Sequence, residues 1–471
     1  MHQTMKNPAP ASDAKPNWLH LDLKGIIPSF EKLLSWLDFF ADAGFNGIVW
    51  EYEDRYDWQA FPGVARQPYT SAQWQAIWDH CRKLNLEVTP LIQTHGHLEW
   101  LLKHEAYATW REAGFFNEIC PQNRKAVEQI AQWLDEVIDL HPDSRYIHIG
   151  ADETWNLCSC DACKEVAAAH PDGKMSIYMK QAIAMCEQVL ARGKQPMIWA
   201  DMFWRENRMD LADKLPRGVV LIDWQYAGKA PYPTTERLSQ TGLELWGASA
   251  IRRSHDTTFM QPGIEGQIDN VLSWNQQLAK GKIAGVIHTL WGRSRSLLPL
   301  YGPWEGWIPG FIAAGGRTPW QEHPLSLAVR VHEQFMVNLM PTHPGKESQA
   351  LKLLAKQAES MDAFSQQCLR WWALAAEQLQ LRSWVQMVSL TDYTLRHTNK
   401  HVTITPEGIA ERCRVHADVD SKLEALAQQV RQFFADNQLS DVDEYIDERI
   451  TNLRDLLAGA GALGHLKLQA V

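Results

Sequence analysis

From Trp18 to about Gly292, eight short apolar runs alternate with longer segments of helical period, and this alternation limits the available folds more than any other feature of the chain. The runs are "WLHLDL" (18–23), "NGIVWEY" (46–52), "LEVTPLIQ" (86–93), "RYIHIG" (145–150), "QPMIWA" (195–200), "GVVLIDW" (218–224), "LELWGAS" (243–249) and "IAGVIHTLW" (283–291). Between most of them lie helix-period stretches such as "SFEKLLSWLDFFADAG" and "SAQWQAIWDHCRKL", each closing near a turn residue. Eight strands joined by helical crossovers predict an α/β fold, a (β/α)8 TIM barrel. A doubly wound open sheet is the alternative, but no G-x-G-x-x-G follows the first run to support a dinucleotide site.

Past about Pro324 the strand-like runs stop. "HPLSLAVRVHEQFMVNLM", the long stretch ending "LRWWALAAEQLQLRSWVQMVSL", and "DVDSKLEALAQQVRQFFADNQ" are rich in Gln, Ala and Leu and helix-periodic throughout. The chain therefore divides into a flexible N-terminal segment (1–17), a catalytic barrel (18–323) and a C-terminal helical domain (324–471). That domain packs on the barrel or on a second subunit, and its longest stretch leaves room for antiparallel helix pairs. With 46 Lys and Arg against 56 Asp and Glu the net charge is −10, with no basic block, so neither a nucleic acid nor an anionic membrane is expected as a partner. No run is long and apolar enough for a membrane span, and residues 1–17 lack the apolar stretch of a secretory signal; a cytoplasmic location is expected.

In a barrel, chemistry gathers where the strands end. Those ends carry His20, Asp22 and Lys24; Glu51, Glu53 and Asp54; Gln93, His95 and His97; His148, Asp152 and Glu153; Trp199 and Asp201; Trp224 and Tyr226; Trp246; and Trp291 and Arg293. Polar side chains and tryptophans so placed suit a ligand with a flat ring face and polar edges, such as a sugar. Asp152 and Glu153 have two readings. They cap a following helix, or they divide acid–base work, one holding its charge while the other moves a proton. Strand alternation would put His148, Gly150 and Asp152 on one face, aiming Asp152 into the barrel mouth. The "H-x-H" of His95 and His97 lacks the fuller ligand pattern of a catalytic metal site, so no metal and no cofactor are expected there. "CSCDAC" sets Cys158, Cys160 and Cys163 close together, with Cys120 in the neighbouring loop; a metal, a loop staple and free thiols all stay open.

"HIGADE" resembles the H-x-G-x-D-E signature of glycoside hydrolase family 20, the β-N-acetylhexosaminidases. "HLDLKG", "EYED", "PLIQTHGH", "WADM", "DWQY", "LWGASA" and "LWGR" follow in the order and spacing of its hexosaminidase D branch. The resemblance covers the barrel and, more loosely, the helical tail. It implies a retaining exo-enzyme acting on terminal β-linked GalNAc or GlcNAc, in which the substrate's own acetamide is the nucleophile, an exception to the scheme with a protein carboxylate in that role. It further implies Glu153 as acid and base, Asp152 as the residue orienting the acetamide, and His97 supporting the acid through Asp54 or Glu53. The negative charge of Asp152 would raise the proton affinity of Glu153. Trp199, Trp224 and Trp291 match the aromatic box around the acetamide methyl, and Tyr226 is the candidate donor to its oxygen. Trp246, His148 and Asp201 complete the pocket expected from the resemblance. The family's hydroxyl-reading Arg is absent near strand one, where Asp22 and Lys24 stand, and its W-x-E is here Trp291-Gly292-Arg293, which leaves Arg293 and Glu305 as candidates for the sugar hydroxyls. The expected partner is a small glycoside, with a homodimer as the expected assembly. A reading from another class is a non-catalytic amino-sugar-binding protein on a hydrolase barrel; a third is a metal-dependent barrel hydrolase.

Overall fold

A computed structural model of the chain describes residues 14–66, 69–252, 260–293, 299–337, 361–397 and 406–461. All eight runs are parallel strands: β1 Asn17–Asp22, β2 Gly47–Glu51, β3 Glu87–Leu91, β4 Tyr146–His148, β5 Gln195–Trp199, β6 Val220–Trp224, β7 Glu244–Arg252 and β8 Val286–Leu290. They pair in sequence order and close, β8 onto β1, into a barrel.

Period-two alternation divides each strand between two cores. On β1, Leu19 and Leu21 face the surrounding helices, while Trp18 faces the barrel axis with Val49, Leu91, Tyr146, Met197, Ile222, Trp246 and Ile287. The floor of this inner core is aromatic. Trp18 meets Trp246 edge-on at 4.7 Å and Tyr146 at 5.4 Å. Gly47 and Gly285 make room for these rings, since a Cβ on either would lie 2.4 Å from the indole of Trp18 or of Trp246. Trp246 thus plugs the base of the barrel with no exposed surface, which removes it from the expected sugar pocket.

The crossover helices are locally specified. Phe30–Ala43 starts where Ser29 accepts from Lys32 N, buries Leu33, Trp36, Leu37 and Phe40 at helical spacing, and stops at Gly44, whose φ of 114° favours glycine. Lys15 and Pro16, inside the expected flexible segment, are bonded to the barrel: Lys15 Nζ donates to Leu278 O at 2.7 Å, and Pro16 O accepts from Val286 N at 3.0 Å. Residues 1–13 lie outside the described residues.

After the barrel come helices Leu325–Val337, Ala363–His397 and Pro406–Asp436. Residues 363–397 form one continuous helix, and the earlier part of that periodic stretch, 346–360, where an antiparallel partner was expected, lies outside the described residues. Trp371 packs on Phe433, Phe434 and Tyr445, and Trp372 Nε1 donates to Gly306 O at 3.0 Å, so the outer core runs without a break from barrel to tail. The segment around Val442–Ile446 closes one side of the barrel mouth: Asp441 pairs with Arg55 at 2.8 Å and Glu444 with Arg293 at 2.8 Å. Among the described residues no helix is long and apolar enough to cross a membrane.

Candidate active site

β4 ends at His148, and the backbone beyond it leaves the strand path. Gly150, Ala151 and Glu153 have φ of 64°, 69° and 49°, a left-handed region costly for the two non-glycine residues. Only glycine fits at 150, where a Cβ would stand 2.1 Å from Gln93 Oε1. Surrounding groups hold the turn: His148 Nδ1 accepts from Gly150 N at 3.0 Å, Ile149 O accepts from Thr94 at 2.8 Å, Ala151 O from Tyr178 at 3.0 Å, and Asp201 Oδ2 accepts from Glu153 N at 3.1 Å. Two expectations fall here. The strand alternation does not extend to Asp152, and the two carboxylates cap no helix, because the next one, Asp161–Ala168, is capped by Cys160.

Both carboxylates turn to one imidazole. His97 Nε2 is 3.3 Å from Asp152 Oδ2 and 3.4 Å from Glu153 Oε2, and its own φ is 52°. Burial opposes charge on His97, but Asp152 and Glu153 together carry its pKa well above the ordinary histidine value. Glu153 also meets Arg205 Nη2 at 3.2 Å. Burial works to raise its pKa, yet the bond from His97 and the charges of His97 and Arg205 leave it below the usual glutamate value. This direction is opposite to the one expected from the charge of Asp152, because two adjacent cations, His97 and Arg205, outweigh it. Asp201, fully buried and close to Asp152, is pushed up to about 7. Asp152 Oδ1 is buried without a hydrogen-bond partner.

One wall of the mouth is aromatic. Trp224 stacks on Tyr226 at 4.8 Å, and Tyr226 lies 6.5 Å from Trp291. Burial, and after it the charge of Asp152, raises the Tyr226 phenol well above its ordinary pKa, so it stays a donor. Trp199 is deeper, with 1% exposure, against His148 at 4.4 Å. His148 is fully buried and neutral, its pKa driven down to about 3 by burial, and it serves the backbone turn.

The expected hydroxyl-reading residues sit mostly within the protein's own networks. Lys24 Nζ lies 3.0 Å from Asp22 and 3.2 Å from Glu53, and Asp22 Oδ2 also accepts from Gly292 N at 2.7 Å, tying β1 to the end of β8. Asp54 neighbours Lys103 at 3.4 Å and Arg66 at 3.7 Å, so the bond to His97 expected of it is made instead by Asp152 and Glu153. Arg293 is held by Glu444. Glu305 does not reach the mouth. It lies in the turn Trp304–Trp307 beneath the helix Ala363–His397, both oxygens buried without partners, its pKa raised to about 7 by burial.

Three residues at the mouth escaped the sequence reading. Arg205 contacts Glu153 and lies 3.2 Å from Asp201; its signal was the i,i+4 spacing from Asp201 on a short helix. Trp155, 49% exposed, carries the Arg205 guanidinium 4.5 Å above its ring and forms the outer edge of the site. Glu118 Oε1 accepts from Asn156 N at 2.7 Å and braces the carboxylate-bearing loop from the β3 side. Its contact depends on the fold and leaves no local pattern. Behind that loop, Glu112, Cys120, Cys160 and Cys163 bring their ligating atoms within 4.8 Å of one another. Cys158, expected in this group, is outside it, and Glu112 takes its place.

The chain is similar to known proteins in sequence and in fold. The pattern of "Glycosyl hydrolase family 20, catalytic domain" matches residues 51–245. Hexosaminidase D of Bos taurus is 31% identical over 292 residues, 58% of this chain and 84% of the bovine protein. Hexosaminidase D of Homo sapiens is 30% identical over 291 residues, 58% of this chain and 60% of the human protein. Among solved structures, a β-N-acetylhexosaminidase from Bacteroides fragilis superposes with a TM-score of 0.50 at 16% identity, covering 69% of this chain and 70% of that one, a likeness of fold alone.

Proposed function

The chain belongs to glycosyl hydrolase family 20, on the hexosaminidase D side of it, and from that premise we propose that it is a retaining exo-β-N-acetylhexosaminidase using its substrate's acetamide as nucleophile. The observation that carries the reading is the pair of adjacent carboxylates on a left-handed turn, both within 3.4 Å of one imidazole nitrogen at the barrel mouth. Asp152, with one buried oxygen still able to accept, takes the acetamide N–H and balances the positive charge that develops as the acetamide oxygen closes on the anomeric carbon. Glu153 delivers a proton to the departing glycosidic oxygen and later removes one from the water that opens the oxazolinium ion. That proton begins on His97 and returns to Glu153 across their 3.4 Å contact as the leaving oxygen approaches. Tyr226 donates to the acetamide oxygen, and Trp224 and Trp291 flank its methyl. The substrate is a small glycoside with terminal β-GalNAc or β-GlcNAc, met in the cytoplasm by a homodimer.

Aryl β-GalNAc and β-GlcNAc are expected to be hydrolysed, and the matching aryl β-galactoside and β-glucoside, which lack the acetamide, left intact. Equal turnover without the acetamide would overturn substrate assistance. Binding of amino sugars with no turnover of any glycoside would instead favour the sugar-binding reading.

A pH profile tests the proton's resting place. His97 has a raised pKa, so the His97–Glu153 pair keeps its one proton to higher pH than Glu153 alone would. His97→Asn leaves only a carboxyl to hold it. The alkaline limb of kcat/KM is then expected to move to lower pH, and an unmoved limb would take the proton off His97.

A further inference from the structure

We infer that Glu112, Cys120, Cys160 and Cys163 form a structural zinc site of three thiolates and one carboxylate, joining the β3 and β4 loops behind the active site. Three of the six distances among these atoms are those of a tetrahedral shell, and all six lie within 4.8 Å. Ligands at about 2.3 Å for Zn–S and about 2.0 Å for Zn–O would place sulfurs about 3.8 Å from one another and about 3.5 Å from the oxygen. Cys120 Sγ lies 3.6 Å from Cys160 Sγ and 3.7 Å from Cys163 Sγ, and Cys163 Sγ lies 3.5 Å from Glu112 Oε2. Such sulfur distances are far beyond a disulfide bond of about 2.05 Å.

The surroundings are those of a built site. Glu112 is fully buried, and its other oxygen accepts from Cys160 N at 2.7 Å, which fixes Oε2 as the single oxygen turned to the sulfurs. Cys160 Sγ accepts from Cys163 N at 3.4 Å, which fixes the sulfur's position at the first place of C-x-x-C. The β3 side is pre-shaped as well. Arg111 and Ile119 form an antiparallel bridge, and Cys120 N donates to Trp110 O at 2.7 Å, bringing Glu112 and Cys120 together across a tight turn with Ala113 at φ 47°. Three thiols and a buried acid make a poor neutral core but a good ligand set for a cation of soft preference. On binding, the three thiol protons pass to solvent and four bonds to zinc form; no electron is transferred.

The placement gives the site work to do. One pair of ligands lies in the loop that carries His97 and Glu118, the other at the end of the loop that carries Asp152 and Glu153, so the ion would hold the imidazole and the carboxylates in register.

The test is metal content of the full chain purified under reducing conditions. About one zinc per chain is expected, retained by Cys158→Ser and by Cys81→Ser, and lost by Cys160→Ser and by Glu112→Ala with Cys163→Ser. Should those variants fail to fold, cobalt exchanged into the wild-type protein is read instead: intense visible bands with thiolate-to-cobalt charge transfer are expected. Protein that holds no zinc and takes up neither zinc nor cobalt after reduction overturns the site. So do weak octahedral cobalt bands, or loss of zinc from Cys158→Ser equal to that from Cys160→Ser.

Discussion

Glu153→Gln is expected to lower kcat/KM on a β-N-acetylhexosaminide with an alkyl or sugar leaving group by about 10²–10⁴-fold, the range that a positioned general acid contributes. The same variant should lose far less on a dinitrophenyl glycoside, whose phenolate departs without a proton. The difference between substrates is the signature, because glutamine keeps the shape of the side chain and removes only its ability to carry a proton. Its amide oxygen can still accept from Arg205, the contact that Glu153 makes at 3.2 Å, so the mouth should hold its form and the melting temperature should barely move. The surroundings of Glu153 sharpen the expectation. With His97 and Arg205 holding it ionised, the carboxylate is ready for the second step, activation of water, and depends on His97 for the first. Azide, which needs no general base, should therefore restore part of the rate on the activated substrate as a glycosyl azide of retained configuration. Equal losses on good and poor leaving groups would remove Glu153 from the acid role.

The barrel was legible from Trp18 to Gly292 because each strand is a short apolar run bounded by turn residues, and all eight strands lie where those runs predict them. Alternation showed which side chains face inward but not how deep they sit. Trp246 and Trp199 share the inward face with Trp224, yet Trp246 floors the barrel and Trp224 reaches its mouth; depth follows from register, which pairs Trp246 with Ile222 two residues below Trp224. Glu305 was misplaced for a related reason. The turn after β8 carries it out under a C-terminal helix, a path no local pattern encodes. The protonation of the acid could not be read from "ADET" at all, since His97 comes from the loop after β3 and Arg205 from the segment after β5. Adjacent acids in sequence announce their chemistry; the cations that tune them arrive through tertiary structure.

Asp152→Asn separates the two carboxylates. Asparagine keeps an acceptor for the acetamide N–H but loses the charge that offsets the oxazolinium cation, and charge stabilisation of this kind is worth about 10²–10³-fold for a single well-aimed group. The loss is expected on every leaving group, dinitrophenyl included, because ring closure by the acetamide precedes or accompanies departure whatever departs. Binding should change in step. A thiazoline that mimics the cationic intermediate should lose affinity by a factor close to the loss in kcat/KM, while the neutral product, which develops no such charge, should bind almost as before. The substitution also removes one of the two anions facing His97 Nε2, leaving Glu153 as its nearer charge partner at 3.4 Å. The alkaline limb of the pH profile should then fall, since the raised pKa of His97 owes more to Asp152 than to Glu153. A variant that lost activity only on poor leaving groups, or bound the thiazoline as tightly as the wild type, would place Asp152 on the leaving-group side of the reaction and return the acetamide to some other residue. Tyr226, the mouth phenol nearest in chemistry to that task, supplies a donor and not a charge, so its loss could not imitate the pattern: Tyr226→Phe should weaken the thiazoline without moving the alkaline limb.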